Sequence, residues 1–298
     1  MTDPQNETFG DRLLNFTLPG RDARGRILRL EGVLDTILSA HSYPPVIRNL
    51  LAEALVVTAL IGSLLKEDDS QLTVQAQTED GVVRLLVCDY RNGELRGYVQ
   101  HDEDRLAELG DDPSLEELFG KGYLAVTFDL AATGERYQGV VPLEGHSLAH
   151  VCESYFERSE QVPTVIKVAV SAQGPGHIAA GMLMQHLPDG EEGRERLHVR
   201  MDHPEWDHVA ILAGTLKAGE LLDTGLTLEA LVWRLFHEED EIRVSHGAEI
   251  SRGCRCSVVH FENVLSRFPA EERKAMRDEN GIIMVDCAFC SRLFPIQD

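Results

Sequence analysis

The sequence has few basic residues, since 28 Lys and Arg face 50 Asp and Glu and leave a formal net charge of −22. A chain this acidic repels nucleic-acid phosphates and anionic membranes, so neither is expected as its main partner. Two catalytic motifs are also missing: no P-loop (G-x-x-x-x-G-K-S/T) and no nucleophile elbow (G-x-S-x-G) occurs.

A secretory leader pattern and a membrane-spanning run are absent as well. The first residues contain neither a basic stretch nor an apolar core, so no signal peptide is predicted and a cytoplasmic location is expected. The longest apolar run, residues 46–65, contains Arg48, Asn49 and Glu53. It is uninterrupted only from Ala54 to Leu65, which is too short to span a bilayer. A buried helix is therefore predicted here.

The apolar pattern of residues 1–200 predicts an α+β core domain. Apolar residues lie on nearly every face of a helix at Pro45–Lys66, which indicates a helix covered on all sides by layers of sheet. Asp80-Gly81 and Asn92-Gly93 suit tight hairpin turns because these residue pairs tolerate positive φ. A second helix is expected at His146–Arg158. Strands are predicted at Leu72–Thr78, Val82–Tyr90, Leu95–His101, Tyr123–Leu130, Tyr137–Val141, Val165–Ser171 and Ile178–His186.

Residues 201–250 are interpreted as a helical linker that follows the polar stretch Pro188–Arg196. Pro204 suits a first helical turn, and Thr227 can cap a later helix. That later helix has an apolar stripe with i, i+3, i+4, i+7, i+8 spacing. The stripe consists of Leu228, Leu231, Val232, Leu235 and Phe236. So strong a stripe must pack on the core, on a partner or on a client protein.

Residues 251–298 form a third unit that is too small to fold on a hydrophobic core alone. Pro269 is predicted to begin a charged helix that Gly281 ends, and Ile282–Val285 to form a short strand. Four of the six cysteines lie here, as Cys254-Arg-Cys256 and Cys287-Ala-Phe-Cys290.

The four clustered cysteines predict a zinc site. In a cytosolic chain, close cysteine pairs bind metal or do redox chemistry more often than they form static disulfides. Four thiolates, from Cys254, Cys256, Cys287 and Cys290, give a closed tetrahedral site for one zinc ion. Thiolates are also the form that oxidants attack. Spacing alone is equally consistent with an inert structural zinc ribbon and with an oxidation-sensitive switch.

Rival interpretations use the same cysteines. A dithiol oxidoreductase would place its C-x-x-C motif at a helix N-terminus in a βαβ setting, whereas here the motif follows a predicted strand. A zinc-ribbon nucleic-acid module is opposed by the net charge. His260 is a less favoured substitute ligand, and Cys88 and Cys152 are interpreted as buried structural thiols.

Several further motifs occur along the chain. They are Ala23-Arg-Gly25, Tyr137-Gln-Gly-Val-Val-Pro142, Tyr155-Phe-Glu-Arg-Ser-Glu-Gln-Val-Pro-Thr164 and Trp233-Arg-Leu-Phe-His-Glu-Glu-Asp240. Together with the cysteine pattern, they make nearly the whole sequence resemble the 33 kDa redox-regulated heat-shock chaperone family, the oxidation-activated holdases. Ala179-Ala180-Gly181 departs from the family's glycine run, which affects a detail of a turn and not the function.

The resemblance implies an ATP-independent chaperone that is not an enzyme. It implies that the reduced, zinc-bound form is a largely inactive monomer, and that peroxide or hypochlorous acid forms the disulfides Cys254–Cys256 and Cys287–Cys290 and releases the zinc. The zinc unit and the linker are then expected to lose structure, and dimers to form that bind unfolding client proteins. The stripe of the linker helix would become exposed and is the candidate client-binding surface.

Overall fold

The computed structural model describes residues 11–171, 176–187 and 203–297. The strands are β1 (Arg12–Leu18), β2 (Ala23–Leu30), β3 (Gln71–Thr78), β4 (Val83–Arg91), β5 (Glu94–His101), β6 (Gly122–Asp129), β7 (Arg136–Pro142), β8 (Thr164–Ser171), β9 (Ile178–His186), β10 (Arg243–Glu249), β11 (Ser251–Arg252), β12 (Ile282–Asp286) and β13 (Leu293–Gln297). The α-helices are α1 (Gly32–Leu38), α2 (Pro45–Gly62), α3 (Glu103–Ala107), α4 (Leu115–Phe119), α5 (Leu148–Tyr155), α6 (Pro204–Gly214), α7 (Ala218–Leu221), α8 (Leu228–Phe236), α9 (Val258–Leu265) and α10 (Ala270–Ala275).

Two sheets enclose the apolar helix α2. The first has the strand order β10-β1-β2-β9-β8 and the second the order β11-β5-β4-β3-β6-β7, and only β11 runs parallel to its neighbour. Helix α2 contacts strands of both sheets. Among the described residues it is the one helix long and apolar enough to cross a membrane, yet 72% of it is buried. The predicted α+β fold around a covered helix is confirmed.

The predicted strands and the helix α5 are present, but only one of the two predicted tight turns is. Asn92 and Gly93 join β4 to β5 with φ values of 51° and 83°, as a two-residue hairpin with both central residues at positive φ requires. Strands β3 and β4 are separated by a longer loop, in which neither Asp80 nor Gly81 has positive φ. There the Thr78 hydroxyl accepts a hydrogen bond from the Gly81 N–H.

Five strands were missing from the sequence-based prediction, namely β1, β2, β10, β11 and β13. No element was assigned to β1 and β2, because the stretch up to Arg29 is mixed in composition and contains five arginines. The acidic run Glu238–Glu241 was interpreted as a helix end, but α8 already ends at Phe236. The chain then returns as β10, which pairs with β1. The linker is therefore helical only up to α8. The predicted boundary stretch Pro188–Arg196 lies outside the described residues.

Helices α6, α7 and α8 form a layer on the outer face of the first sheet. Trp206, Val209, Leu221 and the α8 stripe pack there against apolar side chains of β1, β2 and β9. The rings of Phe16 and Phe236 lie 5.9 Å apart between centroids. Leu228, Leu231, Val232 and Phe236 are buried, and Leu235 is partly buried. Of the three possible packing partners of the stripe, the core is the one that it contacts in this structure.

A buried arginine holds the helix layer on the sheet. Arg29 on β2 is fully buried, and its guanidinium donates hydrogen bonds to the carbonyl oxygens of Leu221, Asp223 and Leu226 at 2.8–3.1 Å. These carbonyls lie at the last residue of α7 and in the chain that joins α7 to α8. Burial lowers the pKa of Arg29. An uncompensated charge here would be costly, so the three carbonyls and the guanidinium depend on one another.

Replacing Arg29 by Ala should therefore detach the helix layer. We expect the reduced protein to lose about 3 kcal/mol of stability, because buried carbonyls lose charged donors. Urea unfolding monitored by tryptophan fluorescence suits this test, since both tryptophans, Trp206 and Trp233, lie in the layer. Arg84→Ala is the matched control, because Arg84 forms an exposed ion pair with Asp102 and should contribute about 0.5 kcal/mol or less. Equal effects of the two variants would contradict this role.

Candidate metal centre

The C-terminal unit has very few buried side chains. Its apolar cluster consists of Leu265, Ile283, Cys287, Phe294 and Ile296, with Cys254, Cys256 and Cys290 packed against it. Strands β12 and β13 pair as an antiparallel hairpin, and α9 contacts β13. A core of this size stabilises a fold weakly without a metal or covalent link. The cysteines thus pack at the small core of the unit, with Cys287 buried and the other three partly buried.

Two short turns position the cysteines. Cys254 and Cys256 follow β11, whereas Cys287 follows β12 directly. The Cys287 carbonyl accepts hydrogen bonds from the backbone N–H groups of Cys290 and Ser291, at 3.1 and 2.8 Å. Ser291 has a φ of 52°. This left-handed residue turns the chain into β13, and Cys290 is thereby brought back beside Cys287.

The four sulfurs match a tetrahedral zinc site. All four Sγ atoms lie within 4.8 Å of one another. The Sγ atoms of Cys254 and Cys256 are 3.2 Å apart, those of Cys254 and Cys287 3.6 Å, and those of Cys256 and Cys290 3.5 Å. A Zn–S bond of about 2.3 Å gives tetrahedral edges of roughly 3.8 Å. All cysteines are free thiols in this structure, so the donor set fits one closed Zn²⁺ site.

The pKa values of the thiols are perturbed in opposite directions. Burial raises the pKa of Cys254, but hydrogen bonds from the Cys256 backbone and from the neighbouring thiols outweigh it and lower this pKa to about 7. Burial and the adjacent sulfurs raise the pKa of Cys256. Burial likewise raises the pKa of Cys287. Without a cation, ionisation of one thiol therefore disfavours ionisation of the next. A bound dication would remove this charge repulsion.

The helices of this unit differ from the prediction. Pro269 does precede α10, but α10 ends at Ala275 and not near Gly281. The Asp278 carboxylate accepts hydrogen bonds from the backbone N–H groups of Asn280 and Ile282, which holds a turn that is incompatible with continued helix. Helix α9, between the two cysteine pairs, was not predicted.

An aromatic residue between two of the cysteines docks the unit on the second sheet. The Arg96 guanidinium lies over the Phe289 ring, 4.0 Å from its centroid, and the Tyr98 ring contacts the Phe289 ring edge-on with centroids 4.9 Å apart. Arg96 is fixed by Asp89, which accepts its Nε–H at 2.7 Å. Asp89 also accepts from the Thr73 hydroxyl. Sequence reasoning missed this contact, since only the position of Phe289 inside C-x-x-C hinted at it.

Further contacts join the cysteine turns to the body. β11 pairs with β5, with Ser251 opposite Glu94 and Arg252 opposite Leu95. Ile250, just before β11, is buried in the main core. The Ser291 hydroxyl lies 3.0 Å from Nδ1 of His41. The Arg255 side chain donates to the side-chain oxygen of Gln71. The cysteine turns are thus in direct contact with the second sheet and its neighbouring loops.

The other candidate residues lie outside the centre. Cys88 and Cys152 are fully buried in the core, and burial raises the pKa of both thiols. His260 is exposed and its ring packs on Phe261. Within the described residues, the four cysteines are the one group of His, Cys, Asp or Glu close enough to hold a metal ion. The stripe residues Leu228–Phe236 belong to the helix layer and not to this centre.

Comparisons with known proteins agree with this arrangement. A family model described as "Hsp33 protein" matches residues 11–297. The chain is 37% identical over 306 residues to a 33 kDa chaperonin of Caulobacter vibrioides, covering 99% of this chain and 98% of the relative. It is 34% identical over 281 residues to a 33 kDa chaperonin of Yersinia pestis, covering 94% and 90%.

The fold is also similar to that of a solved structure. The crystal structure of a 33 kDa chaperonin from Thermotoga maritima superposes with a TM-score of 0.77 at 23% sequence identity, covering 96% of this chain and 95% of that one. At this identity the likeness supports the fold alone. The family model and the curated relatives go further, since their alignments cover nearly the whole chain, from the first sheet to the cysteine turns. The chain belongs to the Hsp33 family, the 33 kDa chaperonins.

Proposed function

We propose that this protein is a redox-regulated, ATP-independent holdase: a chaperone, not an enzyme, that binds unfolding proteins under oxidative stress. The observation that carries the proposal is the assembly of four thiols at the centre of a unit with almost no other core. Such a unit depends on its metal for folding. Oxidation of the ligands therefore controls whether the unit is folded.

The proposed chemical step involves only the cysteines and the oxidant. Two peroxide molecules take four electrons from the four thiolates and four protons from solution, and give two disulfides and four waters. We assign the disulfides to Cys254–Cys256 and Cys287–Cys290. The 3.2 Å separation of Cys254 and Cys256 supports the first, and the turn that returns Cys290 to Cys287 supports the second. Disulfide sulfurs are poor zinc ligands, so the metal is released.

Loss of the C-terminal unit should weaken the attachment of the linker. β10 lies between α8 and the cysteines, and it pairs with β1 at the edge of the first sheet. If β10 detaches with the unit, the α8 stripe of Leu228, Leu231, Val232, Leu235 and Phe236 loses a constraint on its packing. The exposed stripe is the proposed client-binding surface, because large apolar patches bind other apolar surfaces.

The proposed organisation comprises three units in sequence, a redox-dependent oligomeric state and a cytoplasmic location. Residues 1–200 are assigned to the core domain, 201–250 to the linker and 251–298 to the redox unit. We assign a monomer to the reduced state and a homodimer to the oxidised state, in the cytoplasm. The net charge of −22 supports client complexes that stay soluble and do not bind nucleic acid.

Oxidant treatment should release zinc and activate the protein together. The reduced protein is expected to bind one zinc ion and to leave aggregation of a denatured client unaffected. After peroxide treatment with mild warming, a colorimetric chelator should detect the released zinc, and light scattering of the client should fall. Equal suppression of aggregation before and after oxidation would refute the switch.

Replacing Cys287 by Ser should uncouple the metal from the C-terminal unit. We expect the variant to lose most of its bound zinc and the unit to lose amide protection from hydrogen exchange, because three thiolates do not complete the closed site. Cys88→Ala is the matched control, since Cys88 is a buried thiol outside the site and its loss should leave zinc content unchanged. Full zinc occupancy in Cys287→Ser would contradict the assigned ligand set.

Removing the Phe289 ring should lower the temperature at which peroxide activates the protein, without removing a zinc ligand. In Phe289→Ala the contacts with Arg96 and Tyr98 disappear, which should cost about 1–2 kcal/mol of docking. Zinc content should stay at one per chain, while zinc release at a fixed peroxide dose should begin at a lower temperature than in the parent protein. Val259→Ala serves as the control, because Val259 is 64% exposed on the same unit. Identical thresholds for the two variants would exclude a role for this docking contact.

A further inference from the structure

One carboxylate of the acidic run that follows α8 is enclosed by protein. The side chain of Glu239 is 7% exposed, whereas its neighbour Glu238 is exposed. The backbone N–H of Glu239 donates to the carbonyl oxygen of Phe236, the last residue of α8, at 2.9 Å. Strand β10 begins shortly afterwards, at Arg243. Glu239 therefore lies where the chain passes from the helix layer to the strand that leads to the redox unit.

Side chains from two other elements hold this carboxylate. The Arg21 Nε–H donates to Oε2 of Glu239 at 2.7 Å, and Nε2 of His208 lies 2.9 Å from Oε1. The Arg21 guanidinium also forms an ion pair with Glu205. Arg21 ends the short turn between β1 and β2, and Glu205 and His208 lie on α6. We call these four side chains, Arg21, Glu205, His208 and Glu239, the Glu239 network.

The network favours the ionised carboxylate. Burial raises the pKa of Glu239, but hydrogen bonds from Arg21 and His208 outweigh it and lower this pKa. A carboxylate that is withdrawn from water in this way depends on its donors, because their loss would leave the charge without compensation. Opening of the network therefore costs more free energy than separation of an exposed ion pair.

Helix α8 is thus held at both of its ends by arginines that flank β2. Arg29, near the end of β2, binds carbonyl oxygens that precede α8. Arg21, just before β2, binds the carboxylate that follows α8. The first contact lies on the side of α7, and the second lies on the side of β10 and the redox unit. Detachment that begins at the redox unit therefore reaches the Glu239 network before it reaches α8.

Strand β10 itself is weakly attached in comparison. It is the edge strand of the first sheet, and all but one of its residues are exposed. Its pairing with β1 contributes backbone hydrogen bonds but little apolar burial. β10 can therefore detach while the Glu239 network still holds the end of α8 on the core.

We propose that the Glu239 network stops detachment of β10 from spreading into α8, so that the stripe becomes exposed only after this network has opened. The inference rests on the proposed holdase function, to which it adds a point of control over the client-binding surface. In the reduced, zinc-bound protein the network stays closed and the stripe stays buried. After oxidation, the strength of the network sets the temperature at which client binding begins.

The test uses full-length, zinc-loaded protein that is treated with a fixed peroxide dose and then warmed. A colorimetric chelator follows zinc release, fluorescence of Trp206 and Trp233 follows the helix layer, and light scattering follows a denatured client. In Glu239→Gln we expect zinc release as in the parent protein, whereas the fluorescence change and the suppression of aggregation should begin about 5 °C lower. Glu238→Gln is the matched control, since it makes the same change at the exposed neighbour, and it should behave as the parent does.

A double-mutant cycle tests whether Arg21 acts through Glu239. Arg21→Gln should also lower the temperature of client binding without altering zinc release. Arg21→Gln combined with Glu239→Gln should shift it no further than Arg21→Gln alone, because the two side chains form one contact. Circular dichroism of the reduced variants should match the parent, which separates a lost contact from a lost fold.

Three results would overturn the proposal. They are equal behaviour of Glu239→Gln and Glu238→Gln, earlier zinc release in Glu239→Gln than in the parent protein, and additive shifts in the double variant. Failure of the proposed holdase function would be seen separately, as an oxidised parent protein that does not suppress aggregation. The fluorescence of the two tryptophans would still test the network in that case, and a lower transition temperature in Glu239→Gln alone of the two glutamine variants would support it.

Discussion

The structure depends on one constraint: four sulfur atoms hold together a unit that has almost no apolar interior. Only five side chains are buried in the C-terminal cluster, and one of them is the ligand Cys287. Pairing of β12 with β13 supplies backbone hydrogen bonds, but a two-stranded hairpin is marginal by itself. The free energy of metal binding is therefore the folding free energy of this unit. A chemical change at the four sulfur atoms therefore affects the folding of the whole C-terminal unit.

The unit is attached to the second sheet, and the chain just before it is attached to the first, so unfolding of the unit can affect both sheets. β11 extends the second sheet beside β5, and β10 extends the first beside β1. Phe289 lies between two ligands and packs on Arg96 and Tyr98, so the ligand turn and the sheet surface are in direct contact. Net charge opposes the same attachment only slightly, because the C-terminal unit is almost neutral. Residues 245–298 contain eight acidic and seven basic side chains, a net −1, so the remaining −21 lies on the body.

Sequence reasoning predicted the features that depend on local pattern. The apolar helix α2, the hairpin at Asn92-Gly93 and the cysteine spacing each follow from residues close together in the chain. It missed β1 and β2, which lie in a mixed, basic stretch, and β10, which follows an acidic run. The paired strands β1 and β10 lie more than 200 residues apart in the sequence. It also missed the Phe289 contact with Arg96, since neither residue signals a partner almost two hundred positions away.

The apolar surface of α8 is controlled by its docking. The α8 stripe is buried on the first sheet, where Arg29 fixes the preceding loop through three carbonyls, so its exposure requires an undocking event. Strong holding of an unfolded chain needs several apolar contacts at once, and the proposed redox-controlled release of the stripe would supply them.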